Sequence, residues 1–267
     1  FGSSPSTGLL TIPSDNKPLY SANLIYKPFE EDTFLKPLNA RDKMISYGGI
    51  TVSNALIPKA GESQFNINYD SKGNWFGFYG YSLSNIFQLE LFNIGSFGDM
   101  NLVSNKNNEL SHTYLNENNL NFRLGGKILI LSPSKDDPFW LTFRTSLGRN
   151  DDTNQGYLFS ELINTFRFND WMALNISPKY LHSGVESFAG LGISSYISIF
   201  DNLMFIPEIN NTFNNGSDLN SSIALRYSYK PGSSFDFYYS NSAGIQDIGQ
   251  MFEDKEYRYG VKLNFQF

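Results

Sequence analysis

The last eleven residues, Tyr257-Arg-Tyr-Gly-Val-Lys-Leu-Asn-Phe-Gln-Phe267, constrain the fold of this chain more than any other stretch. Side chains alternate across a β-strand with period two. Tyr257, Tyr259, Val261, Leu263, Phe265 and Phe267 therefore share one face, and Arg258, Gly260, Lys262, Asn264 and Gln266 share the other. A water-soluble sheet has no use for a wholly oily face at the chain terminus. Hydrocarbon accepts that face, and a polar lumen accepts the opposite one. The expected fold is all-β: a transmembrane antiparallel up-and-down β-barrel.

Composition supports this. Aromatic residues make up 16% of the 267 residues, with 24 Phe and 16 Tyr, yet mean hydropathy is only −0.31. A globular core would not combine those two properties easily. A barrel with a thin apolar belt, aromatic girdles, a wet interior and polar loops does. No apolar run is long enough for a membrane-spanning helix, since Lys127-Ile-Leu-Ile-Leu131 is the longest strongly apolar cluster. The absence of cysteine excludes a disulfide framework and thiolate metal sites. A net charge of −6 with no basic stripe argues against nucleic acid as a partner. The start at Phe1, without Met or an apolar leader, predicts a processed chain.

Alternation repeats from about residue 119 onward. Phe122, Leu124, Gly126, Ile128 and Ile130 oppose Arg123, Gly125 and Lys127. Phe139, Leu141 and Phe143 oppose Thr142, Arg144 and Ser146, and Met172, Leu174 and Ile176 oppose Asn175, Ser177 and Lys179. The same pattern returns around Ile193, Leu225 and Phe237. Six such segments in succession make a barrel signature. Upstream, Phe65 to Tyr69 and Phe87 to Leu91 alternate, Trp75 to Tyr81 is aromatic on both faces, and Met44 to Val52 and Phe97 to Ser104 read as further strands. About fourteen strands result, with twelve or sixteen as alternatives. Residues 43–267 are assigned to the barrel; residues 1–42 are a plug, a periplasmic piece or a first strand.

Two local resemblances bear on function. Asn264-Phe-Gln-Phe267 resembles the C-terminal assembly signal of bacterial porins, with Gly260, Leu263, Phe265 and Phe267 as its elements. Gly260 lies two residues further from the terminus than in the usual pattern, and Lys262 holds the expected place. The resemblance implies insertion by the outer-membrane assembly machinery. Thr7-Gly-Leu-Leu-Thr-Ile-Pro-Ser14 resembles the opening of barrels associated with exopolysaccharide or capsule secretion, and Ser242 to Ile248 echoes it.

Enzymatic chemistry finds little support. His112 and His182 are the only histidines, and adjacent His182 and Ser183 would face opposite sides of a strand. Asp136-Asp137 and Asp151-Asp152 lack calcium-loop spacing. No catalytic residue, cofactor or metal ligand is assigned. Alternation instead places Glu90, Arg123, Lys127, Arg144, Lys179, Glu208, Arg226, Asp236, Arg258 and Lys262 on the lumen face, as pore-lining candidates. Seven of these ten are basic although the chain is acidic. Either they bias an open pathway toward anions, or they pair with nearby acids and fill a narrow interior. The sequence thus predicts an outer-membrane passive channel, or porin, for small polar solutes, anionic ones among them. The alternative is a non-conducting barrel component of polysaccharide secretion or surface attachment. Expected partners are outer-membrane lipid and lipopolysaccharide, the assembly machinery, small solutes, and, as an open alternative to a monomer, further copies of the chain. The expected place is the outer membrane of a Gram-negative-type bacterium or an equivalent organelle envelope.

Overall fold

A computed structural model describes residues 10–12, 17–20, 40–96, 121–133, 139–150, 155–182, 187–213, 218–245 and 247–267. Strands β1 (Leu10–Ile12) and β2 (Lys17–Tyr20) pair with each other in a small antiparallel ribbon. Helix α1 (Ala40–Ser46) follows. The barrel strands are β3 (Ser63–Asp70), β4 (Asn74–Ser84), β5 (Phe87–Ser96), β6 (Asn121–Leu131), β7 (Phe139–Asn150) and β8 (Gln155–Arg167). They continue as β9 (Met172–His182), β10 (Ser187–Phe200), β11 (Leu203–Thr212), β12 (Asp218–Lys230), β13 (Ser233–Ser242) and β14 (Glu253–Gln266). A 3₁₀ turn, Asp247–Met251, lies in the connection between β13 and β14.

Strands β3 to β14 form one closed barrel of twelve, each antiparallel to its chain neighbours. Closure matters because an open sheet edge in hydrocarbon would strand backbone N–H and C=O groups without water to satisfy them. The seam is made by the terminal strand: β14 pairs with β3 in the register Leu263↔Ile67 and Phe265↔Phe65. The Phe65 and Phe265 rings stack with centroids 6.4 Å apart. Phe267 and Ser63 exchange backbone hydrogen bonds of 2.7 and 3.0 Å, tying the C-terminus to the first barrel strand.

Faces follow the alternation. Ile67, Leu124, Ile128, Phe143, Ile193, Ile209, Leu225, Val261 and Leu263 point outward and are exposed. Phe168, Trp171, Phe200 and Phe267 ring the end that carries the C-terminus, and Tyr69, Tyr180, Tyr239 and Tyr257 ring the other. Such a continuous oily exterior with aromatic borders is what a bilayer solvates. The C-terminal end carries the tightest turns, at 201–202 and 231–232, along with the longer 132–138, whereas the opposite end carries the longest connections, 97–120 and 243–252, along with the short 71–73.

Twelve strands, rather than fourteen, close the barrel because Met44–Val52 is not a strand. It holds the end of α1 and a turn within the lumen. Gly48 sits at φ +70°, the left-handed conformation that ends helices and that only glycine adopts freely. Its amide closes on the Ile45 carbonyl at 2.9 Å. Phe97 to Ser104, the other surplus strand, lies outside the described residues.

Candidate functional site: a lumen filled from both ends

All ten lumen candidates read from the sequence are buried inside the barrel. The described interior also buries Asp70, Glu161 and Asp247, which the sequence reading does not include, together with Asp42 of α1. Asp70 continues the inward series Gln64, Asn66, Asn68 of β3 and was legible there. Glu161 was hidden because β8 turns Phe159 and Ile163 inward while Leu158 and Leu162 face out, so hydrophobicity does not alternate. Among the described residues, seven buried acids (Asp42, Asp70, Glu90, Glu161, Glu208, Asp236, Asp247) meet seven buried bases (Arg123, Lys127, Arg144, Lys179, Arg226, Arg258, Lys262).

Two inserts occupy the lumen. From the C-terminal end, α1 and residues 47–57 rise to mid-barrel and return to β3. Met44, Ile45, Ile50, Ala55 and Leu56 pack on inward-facing Phe76, Phe78, Phe92, Trp140, Ile163, Tyr196, Met204 and Ile206. This explains why Trp75 to Tyr81 is aromatic on both faces: one set meets the outside, the other meets the insert. From the opposite end, residues 243–245 and 247–251 bend inward, and Ile248 and Met251 pack against Tyr157, Phe159, Leu181 and Phe188.

The charged wall grips the first insert by its backbone. Glu208 accepts hydrogen bonds from the Ile50 amide (2.9 Å), the Thr51 amide (2.7 Å) and the Thr51 hydroxyl (2.8 Å). Lys262 donates to the Gly49 carbonyl at 2.7 Å and the Tyr47 carbonyl at 3.3 Å. Lys127 donates to the Leu56 carbonyl at 2.7 Å. Arg226 forms a bidentate pair with Asp236, at 2.7 and 2.6 Å, and turns its remaining donors to the carbonyls of Gly48 (2.6 Å) and Met44. Near the C-terminal end, Arg167 holds Asp42 at 3.0 Å. Buried charges are tolerated only with such partners. Gly49 has no room for a side chain: a Cβ there would sit 1.4 Å from a Glu208 carboxylate oxygen.

The second insert is held mainly through Asp247. Its carboxylate accepts from Arg144 (3.1 Å), Ser146 (2.8 Å) and Tyr157 (3.0 Å), with Arg123 at 3.6 Å. Burial alone would raise its pKa, but the two guanidiniums and the hydroxyl donors outweigh that and hold it below the usual carboxylate range. Arg144 also binds Glu90 at 2.7 Å and Glu161 at 3.0 Å. Lys179 joins the two inserts, donating to the Thr51 carbonyl of one (3.0 Å) and the Gln250 side chain of the other, with Asn210 at 2.5 Å. A third cluster, Arg258 with Asp70 at 3.1 Å, Asp254 at 2.8 Å and the Ala243 carbonyl at 3.0 Å, fixes the root of the second insert.

Between residues 46–54 and wall residues that include Gln64, Asn66, Glu90, Lys127 and Arg144, a cavity of about 40 Å³ remains. That is room for roughly three water molecules, and the two inserts occupy the described lumen on either side of it.

The terminal strand's named positions divide between the faces. Leu263 and Phe267 face out, while Gly260 is buried inside, where its missing side chain makes room for the Tyr238 ring. His182 lies exposed at the loop rim, with Nδ1 2.9 Å from the Ser187 hydroxyl. His112, Asp136-Asp137 and Asp151-Asp152 lie outside the described residues.

Among solved structures, the chain is similar to the KdgM porin in complex with disordered oligogalacturonate, with a TM-score of 0.56 at 10% identity over 77% of this chain and 99% of that one. It is also similar to the COG4313 outer membrane channel from Pseudomonas putida F1, with a TM-score of 0.55 at 8% identity over 82% and 100%. The NanC porin matches with a TM-score of 0.50 at 9% identity over 76% and 98%. No family model and no curated protein matches the chain. The fold is that of porin-like outer-membrane β-barrels.

Proposed function

We propose that this chain is an outer-membrane channel of the porin type, held shut in the present state by its own two inserts, which passes small polar solutes and favours anions when open. One observation carries the reading: a closed barrel with a lipid-compatible exterior encloses, beside the apolar contacts of its inserts, a wall lined with buried charged groups. No chemical step is required, and selectivity would come from wall charge and radius.

The anion preference depends on opening. Asp42 and Asp247 belong to the inserts, so the wall itself keeps seven bases against five acids, Asp70, Glu90, Glu161, Glu208 and Asp236. Withdrawal of the inserts would also strip the carbonyl partners from Lys127, Lys179, Arg226 and Lys262. Carbonyl oxygens of the insert thus stand where the oxygens of an anionic solute would bind. The oligogalacturonate found with the KdgM porin is a sugar chain of that charge.

On this reading the belt meets outer-membrane lipid and lipopolysaccharide in a Gram-negative-type envelope, the terminal strand (Gly260, Leu263, Phe265, Phe267) addresses the assembly machinery, and the barrel works alone or as a homo-oligomer. A second reading, a non-conducting barrel serving polysaccharide secretion or surface attachment, is favoured by the lumen being filled from both ends. Planar-bilayer recording separates the two. The channel reading expects low conductance from the wild type and higher, anion-selective conductance once Glu208→Ala frees the insert, with the reversal potential in a salt gradient giving the sign. Cation selectivity removes the anion preference. Silence of both proteins in bilayers overturns the channel and leaves the second reading.

A further inference from the structure

We propose that Arg123, Arg144, Ser146 and Tyr157 form a carboxylate-binding subsite in the barrel wall, and that the β13–β14 connection occupies it with Asp247 as a tethered stand-in for a diffusible carboxylate. The proposal deepens the channel reading by naming the charged group of the solute.

The wall half of the site is built by the strand ladder and does not depend on the loop. Arg123 of β6 pairs with Gly148 of β7, which pairs with Tyr157 of β8, so the three positions stand side by side. Gly148 is required there, because a Cβ would lie 2.3 Å from the Tyr157 ring. Tyr157 in turn lies beneath the Arg123 guanidinium, 5.2 Å from its ring centroid. Arg144 is fixed by Glu90 and Glu161 and lies over the Phe92 ring at 5.0 Å. Donors held this way are arranged before any anion arrives.

Asp247 fills the site imperfectly. One carboxylate oxygen takes Arg144, and the other takes Ser146 and Tyr157. Arg123 stays 3.6 Å away, and its Nη1 is buried without a hydrogen-bond partner among the described residues. A buried guanidinium donor left unpaired is unusual and costly. The tether sets this gap. Asp247 has φ +47°, left-handed for a residue with a side chain. Its loop is pinched at the neck, where the Gly244 amide meets the Gly249 carbonyl at 2.9 Å and a Cβ on Gly249 would strike Gly244 Cα at 2.4 Å. A strained residue on a narrow stalk reaches two hydroxyls and one arginine. A free carboxylate, unconstrained by the stalk, would reach the second arginine as well. The stalk springs from the end with the longer loops, so an arriving solute meets it before the first insert.

The test is chemical rescue, read by thermal unfolding of the detergent-folded full chain. Asp247→Ala should lower the Tm, and formate should restore several degrees of it saturably, since a ligand bound to the folded state alone raises Tm with concentration. Formamide, which matches formate in shape without the charge, and chloride at equal ionic strength should not. Wild type, whose site Asp247 fills, should not respond at the formate concentrations that rescue the variant. No formate response, or an equal response to formamide or chloride, overturns the proposal. If Asp247→Ala does not fold, wild type carries the test. Glucuronate, but not glucose, should accelerate amide exchange in residues 243–251 as it displaces Asp247. A tethered group acts at an effective concentration on the order of millimolar or more, so the titration must run well above that. Equal effects of the two sugars, or no effect, count against the subsite. Neither readout needs conduction, so its failure leaves the channel reading standing, and silent bilayers leave the subsite standing.

Discussion

Gly49→Ala probes the grip on the first insert at its tightest point. The new methyl would lie 1.4 Å from Glu208 Oε1, 2.6 Å from Glu208 Cδ and 3.1 Å from the Val52 carbonyl oxygen. The carboxylate must move, and moving it abandons the amides of Ile50 and Thr51 and the Thr51 hydroxyl. Hydrogen bonds to a charged group contribute about 1.5–3 kcal/mol each and are not additive, so roughly 3–6 kcal/mol of insert docking is at stake. That corresponds to between about 10² and 10⁴ in the docking equilibrium. The barrel ladder is untouched, so the loss should appear as local opening rather than global unfolding. Hydrogen exchange of peptides covering residues 40–57 in the detergent-folded protein measures it directly. A double-mutant cycle with Glu208→Ala then assigns the cause. Without the carboxylate, the nearest atom left to the same methyl is the Val52 carbonyl oxygen at 3.1 Å, and most of the Gly49→Ala penalty should vanish. Unchanged protection in Gly49→Ala would refute the reasoning, and so would a penalty that persists in full beside Glu208→Ala.

Three further outcomes are expected. Ile193 pairs with Ile176 and Ile209 in the middle of the outward belt, so Ile193→Arg should cost about 2–4 kcal/mol in urea titrations of folding into lipid vesicles; a cost near zero would deny that lipid touches this face. Arg226→Met leaves Asp236 buried without its bidentate partner and should cost about 3–5 kcal/mol, most of it recovered by adding Asp236→Leu. Asp247 has its pKa depressed in the folded state, so its stabilisation is in place above the ordinary carboxylate value of about 3.9 and is lost as pH falls through the lower folded value. Protease resistance of residues 243–251 should therefore persist to about pH 4 and fail only in stronger acid, and Asp247→Asn should flatten that difference.

The barrel was legible in the sequence because period-two alternation is a local property: most strands announce their faces before any partner is known, β8 being an exception. Tyr257 to Phe267 and the segment around Ile193 carried that signal, and the ten charged positions assigned to the interior are all buried there. Strand number was less legible. Met44-Ile-Ser-Tyr-Gly-Gly-Ile-Thr-Val52 has strand-like composition, and nothing local shows that Gly48 turns left-handed and Gly49 lies against Glu208. Asp247 was invisible for the same reason, since a loop aspartate has no periodicity, and only the fold brings Arg123 of β6, Ser146 of β7 and Tyr157 of β8 around it. The sequence by itself determined which side of most strands faces outward, because an apolar outer surface selects residues one at a time. Whether the enclosed space is open or shut was decided by the tertiary structure alone. That outcome depends on carbonyls and carboxylates from distant segments converging on the same cations, a coincidence in space that no spacing along the chain records.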